Sequence, residues 1–110
     1  MTDNKIEEIS VKELKAKLDR KEDFQLIDVR EPFELDICRI EGSINIPVND
    51  IISEEKKLDL NKEYIIHCRS GHRSYDVVEF LMNTGHKKVK NLKGGILEWI
   101  REIDLSMESY

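Results

Sequence analysis

The sequence predicts an α/β domain of three layers, with about five mostly parallel strands in one sheet and helices on both of its faces. Three observations predict it. Apolar runs of four to six residues recur along the chain, at 24–29, 43–46, 64–67 and 89–92. Between and beyond them lie segments whose apolar residues fall at helical spacing. The 110 residues suit one domain better than two, so residues 1–110 are read as a single unit with a core from about 5 to 104.

Each element has its own signal. Ser10 and Glu13 form a capping-box pair, and Val11, Leu14 and Leu18 follow on one helical face. Residues 24–29 read as a buried strand ending in Asp28-Val29-Arg30, and Pro32 suits the first turn of a helix. Gly42 breaks the chain, and the strand at 43–46 stops at Pro47. The strand at 64–67 runs straight into Cys68-Arg69-Ser70-Gly71-His72-Arg73-Ser74. A helix at 74–83 then presents Val77, Val78 and Leu81, with Gly85 as its stop signal. After the strand at 89–92, Gly94-Gly95 opens a last helix with Ile96, Trp99, Ile100 and Ile103 inward. Residues 105–110 read as a frayed polar tail.

Composition narrows the function. Hydrophobic residues are 39% and charged residues 37%, but the apolar ones are clustered, so a core forms. A net charge of −5 argues against general binding of nucleic acid or anionic membrane. No run approaches the roughly 20 apolar residues that span a bilayer, and residues 1–8 lack the apolar core of a secretory signal. Cys38 and Cys68 make neither a disulfide framework nor, with three scattered histidines, a metal site. A reducing cytoplasm is the simpler setting.

Cys68 is the candidate nucleophile. Only the thiolate attacks, and helix N-termini and nearby cations favour it. The loop ending at Arg73 precedes a helix, so its amides can converge on the sulfur. Arg69 and Arg73 flank it with no acid between Cys68 and Ser74, a local positive island, and Gly71 permits the backbone angles of a tight cradle. Such a cradle also suits an oxyanion. Arg30 and Lys93 follow two other strand ends and are candidates for the same rim, where ligands of parallel sheets bind. Asp28 and Arg30 also read as a structural ion pair at the strand end. The alternative for Cys68 is a small buried hydrophobe.

Four segments together resemble the rhodanese family of thiosulfate sulfurtransferases and related sulfur carriers. Leu26-Ile27-Asp28-Val29-Arg30-Glu31-Pro32-Phe33-Glu34 and Arg39-Ile40-Glu41-Gly42-Ser43-Ile44-Asn45-Ile46-Pro47 look like its two signatures. The stretch from Cys68 to Arg73 is similar to its six-residue active loop, and Gly94-Gly95-Ile96-Leu97-Glu98-Trp99 to its closing motif. Arg39 and Ser43 stand where the family often has His and Ala. The resemblance implies that Cys68 takes the outer sulfur of thiosulfate or a persulfide donor. It then holds a persulfide in a cradle of Arg69, Ser70, Gly71, His72 and Arg73, and yields the sulfur to cyanide, a thiol or an acceptor protein. No metal or organic cofactor is implied.

Other readings stay open. A phosphatase or arsenate reductase resembles His-Cys-x-x-x-x-x-Arg, whereas four residues separate Cys68 from Arg73 here. A non-catalytic binding module is a second rival, and loading of Cys68 by a desulfurase is a variant of the first reading. Cys38 reads as a structural thiol, or as a second redox thiol if it lies near Cys68. His67 reads as a strand residue, and His72 as a contact for an acceptor or a tuner of the thiol. Lys87, Lys88, Lys90 and Lys93 form a solvated face or a dock for an acidic partner, and Trp99 belongs to the core.

Overall fold

The structure is a computed structural model that describes residues 6–110. The reading of residues 1–8 as lacking a leader, and the start of the core near residue 5, therefore fall partly outside the described residues.

The capping pair forms as the sequence predicts. Ser10 Oγ accepts the Glu13 N–H at 3.1 Å, and the Glu13 carboxylate accepts the Ser10 N–H at 3.0 Å. Two orphan donors are satisfied, and helix α1 (Val11–Asp19) starts there with Val11 and Leu14 buried. Just before it lies β1 (Glu8–Ile9), a two-residue strand too short to show any alternation in the sequence. Next come β2 (Gln25–Asp28), a one-turn helix α2 (Pro32–Leu35) with Pro32 in its first turn, and β3 (Ser43–Asn45). Helix α3 (Val48–Glu54) follows Pro47 and buries Ile51. No helix is expected there from sequence, because only Ile51 of its seven residues is buried and a single anchor makes no stripe. Then come β4 (Tyr64–His67), α4 (His72–Asn83), β5 (Val89–Leu92) and α5 (Gly95–Glu102).

The five strands form one sheet in the order β1-β5-β4-β2-β3, and every pairing is parallel. Alternation along the strands divides the core in two. Leu26, Ile65 and Leu92 pack with Val11 and Leu14 of α1 and with Ile96, Trp99 and Ile100 of α5. Ile27, Ile66 and Val89 pack with Ile51 of α3 and with Val77, Val78 and Leu81 of α4. Each such side chain contributes about 1.5–3 kcal/mol when fully buried. Helices thus cover both faces, as the apolar runs without strict alternation require.

The chain leaves the sheet in opposite directions at β2 and β4. The connection from β2 leads to the edge strand β3, and that from β4 leads back to β5. A crevice opens beyond the carboxyl ends of two neighbouring strands where their connections diverge. Cys68 directly follows β4 at that point.

One expectation fails at the C-terminus. Residues 105–110 are not a frayed tail, because Met107 and Tyr110 pack against the α1–α5 core. Apolar side chains spaced among polar ones form no recognisable stripe, so only the fold gives them a surface to cover. Among the described residues, no helix is long and apolar enough to cross a membrane.

Candidate active site around Cys68

The loop is built by its neighbours on both sides. Gly71 is the N-cap of α4 at φ +102°, in the left-handed region that glycine adopts readily. That turn aims three donors at the Cys68 sulfur. The Gly71 N–H lies 3.2 Å away, the Ser74 N–H 3.5 Å and the Ser74 hydroxyl 3.3 Å. Donors pointed at a sulfur stabilise negative charge on it, and the N-terminus of the twelve-residue α4 adds its dipole. The side chain is 1% exposed and sits among Ile66, Val77 and Val78. The sulfur is therefore enclosed, yet it is addressed by amides rather than left among hydrocarbon alone.

Helix α5 fixes the loop from behind. The Ile96 N–H donates to the Cys68 carbonyl at 3.0 Å and the Leu97 N–H to the Arg69 carbonyl at 3.1 Å. These peptide bonds are trans, like all others among the described residues. The following N–H groups, of Arg69 and Ser70, therefore point away from α5. Contact this close requires Gly95, since a Cβ there would lie 2.5 Å from the Arg69 carbonyl oxygen. Asn91 Nδ2 adds a tie, donating to the Gly71 carbonyl at 3.2 Å and to Glu8 at 2.9 Å.

The positive island expected from sequence is partly neutralised by an acid from another element. Glu34, in α2, accepts two hydrogen bonds from Arg73 at 2.8 and 3.0 Å. The arginine holds the Glu34 carboxyl down at about 2, aided by the Tyr110 hydroxyl at 2.7 Å. The same contact raises the proton affinity of Arg73 further. Arg69 donates to a main-chain oxygen of Tyr110 and stacks on the Tyr110 ring, 4.9 Å from its centroid. Glu34 escapes the sequence reading because it lies 39 residues from Arg73 in the chain, beyond any local pattern.

Arg30 does not line an anion entrance. It is fully buried, with Nε and Nη2 on Asp28 at 2.7–3.0 Å, Nη2 also on the Cys38 carbonyl at 2.7 Å, and Nη1 on the Tyr110 hydroxyl at 2.8 Å. Burial opposes its charge, but the bonds to Asp28 and Tyr110 more than offset this and hold it protonated. The physical reason is the tight turn after β2, which folds the side chain back over the strand end. The structural pair with Asp28, the main reading of these two residues from sequence, describes its contacts.

Lys93 is exposed and lines a shallow groove with Ser10, Val11, Lys12, Gly94 and Glu98, whose lining includes none of residues 68–73. His72 and Ser70 contact each other at 3.2 Å on the exposed side of the loop. His67 is buried at the end of β4, 3.6 Å from Asp28 and 3.3 Å from the Cys68 carbonyl, and burial lowers its proton affinity. Cys38 and Cys68 are both free thiols in separate core clusters on opposite faces of the sheet. Lys90 sits beside Glu63 at 3.6 Å, whereas Lys87 and Lys88 are exposed.

Ser74 is the contact the sequence reading missed. It stands one residue past the loop, in the first turn of α4, and the first turn of a helix after a nucleophile is where a hydroxyl can reach back to it.

The comparisons agree with this geometry. The sequence matches the family described as "Rhodanese-like domain" over residues 10–102. It is 42% identical over 94 residues to "Putative sulfurtransferase YtwF" of Bacillus subtilis, covering 86% of this chain and 90% of that protein. It is 34% identical over 96 residues to "Sulfurtransferase" of Allochromatium vinosum, covering 87% and 90%. Among solved structures, a rhodanese-like domain protein from Staphylococcus aureus superposes with a TM-score of 0.81 at 31% identity, covering 96% of this chain and 99% of that one. A loop hung between β4 and α4 and clamped by α5, in a chain matched along most of its length, places this protein in the rhodanese-like family.

Proposed function

We propose that the protein is a sulfurtransferase with Cys68 as its nucleophile. The observation that carries this reading is the convergence of the Gly71 and Ser74 N–H groups and the Ser74 hydroxyl on one sulfur. The Cys68 thiolate attacks the outer sulfur of thiosulfate or of a persulfide donor. The donor's S–S bond breaks, and its electron pair leaves on sulfite or on the donor thiolate. A new S–S bond makes Cys68 a persulfide, cradled by Arg69, Ser70, Gly71, His72 and Arg73. An acceptor thiolate, cyanide or an acceptor protein then attacks the outer sulfur, and Cys68 departs as thiolate. The cycle needs no outside oxidant or reductant. It suits a reducing compartment such as the cytoplasm, where Cys68 stays a free thiol.

Two observations count against a phosphatase. The loop has one residue fewer than the phosphatase pattern, and both terminal nitrogens of Arg73 are held by Glu34 rather than open to phosphate oxygens. A binding module would have no use for donors trained on a buried sulfur.

Intact-mass measurement tests the reading. After incubation with thiosulfate or a small persulfide, the chain gains one sulfur atom, and Cys68→Ser gains none while keeping its fold. Phosphate release from an aryl phosphate, with no sulfur gained from either donor, overturns it.

A further inference from the structure

We propose that Tyr110 is a donor-selectivity latch, which turns the site away from small dianions and towards sulfur carried on an organic thiol. The proposal rests on the sulfurtransferase reading and specifies which donor it prefers. Both cations of the loop are already engaged, and Tyr110 takes part in each engagement. Its main-chain oxygen and ring hold Arg69. Its hydroxyl donates to Glu34 at 2.7 Å, on the carboxylate that grips Arg73 through both terminal nitrogens. The same hydroxyl accepts from Arg30 at 2.8 Å, which anchors the residue to the buried pair at the end of β2.

The consequence is electrostatic. A dianion such as thiosulfate gains most from open guanidinium groups at the mouth of the site. Here Arg73 faces a carboxylate that stays ionised and 5% exposed. A dianion approaching Arg73 therefore also meets Glu34, and like charges at short range repel. The persulfide of an uncharged thiol brings no such charge and needs no free arginine. Its sulfur is handled by the amide donors, which Tyr110 does not touch.

The test compares loading of Cys68 by thiosulfate and by the persulfide of a neutral small thiol, followed by intact mass over a range of donor concentrations. In Tyr110→Ala, which takes the ring from Arg69 and the hydroxyl from Glu34 and so loosens both engagements, the half-saturating thiosulfate concentration falls about threefold to tenfold. Half-saturation by the neutral persulfide stays within about twofold. Glu34→Gln, which frees Arg73 while leaving the tail in place, moves thiosulfate in the same direction and decides the matter should Tyr110→Ala fail to fold. Unchanged or weaker thiosulfate loading in the folded variants overturns the latch. So does an equal gain for both donors, which would mean only that the site had opened. A wild-type chain that takes sulfur from neither donor overturns the proposed function instead.

Discussion

Ser74 places a hydroxyl 3.3 Å from the Cys68 sulfur in a position with no exposure of its own. In the proposed discharge step that sulfur is the leaving group, and the rate of such a step rises with the leaving sulfur's stability as an anion. Ser74→Ala removes one donor and adds no bulk. The expected result is a slower discharge to a thiol acceptor, by about threefold to tenfold, with a smaller loss in loading, where the sulfur attacks rather than leaves. Rapid-quench discharge and loading kinetics check both, and an unchanged discharge rate would reduce Ser74 to packing. At this scale the sequence discloses residues that act locally. Cys68 and Gly71 are legible because a strand, a turn and a helix start are all written within a few positions of them. Glu34 and Tyr110 are not, because their roles are set by partners 39 and 76 or 80 positions away.

Between elements, the closest approach is that of α5 to the loop. Gly95 has φ +61°, and a Cβ would press on the backbone of Cys68 and Arg69 at 2.5–2.7 Å. Neither backbone atom can swing aside as a side-chain tip can. Gly95→Ala should therefore cost about 2–4 kcal/mol, from the left-handed backbone and the clash together. Sulfur loading should fall at least about tenfold even where the variant remains folded, because the amides move with the carbonyls that α5 holds. Denaturant unfolding followed by the single Trp99, together with loading kinetics, reads the two effects separately. Retained loading in a destabilised variant would show that α5 supports the fold without positioning the loop. The sequence does announce the glycine pair as a helix opening. It does not announce what that opening grips. Strand β1 and helix α3 were illegible for a different reason: two residues, or one buried anchor, carry no period to read.

For the whole molecule, the buried titratable groups make stability depend on pH. His67 is enclosed and its proton affinity is lowered, so the unfolded chain takes up that proton first. Its contribution is intact above the unfolded value near 6.5 and is lost as pH falls below it. Glu34 acts in the same direction at lower pH. Its carboxyl is held at about 2 against 4.5 unfolded, so its stabilisation is intact above 4.5 and is lost as pH falls towards 2. After allowance for the solvent around half-exposed Arg73, this amounts to about 2 kcal/mol. Stability should thus be level above neutrality and decline in two stages on acidification. Glu34→Gln should abolish most of the lower stage, and urea midpoints measured across the pH range by Trp99 fluorescence would show it. An unchanged lower stage in that variant would mean that the Glu34–Arg73 pair contributes little to folding.

The sequence by itself determined the layers, most of the strands, the candidate nucleophile and the turn that presents it. These follow from local spacing, from where glycine and proline fall, and from the reach of a few residues along the chain. Only the tertiary structure decided which charges surround that nucleophile. Electrostatic partners are chosen by proximity in space, and here the carboxylate comes from α2 and the aromatic ring from Tyr110. The loop that looks purely cationic as a string of letters is, once folded, a site whose two arginines are already held.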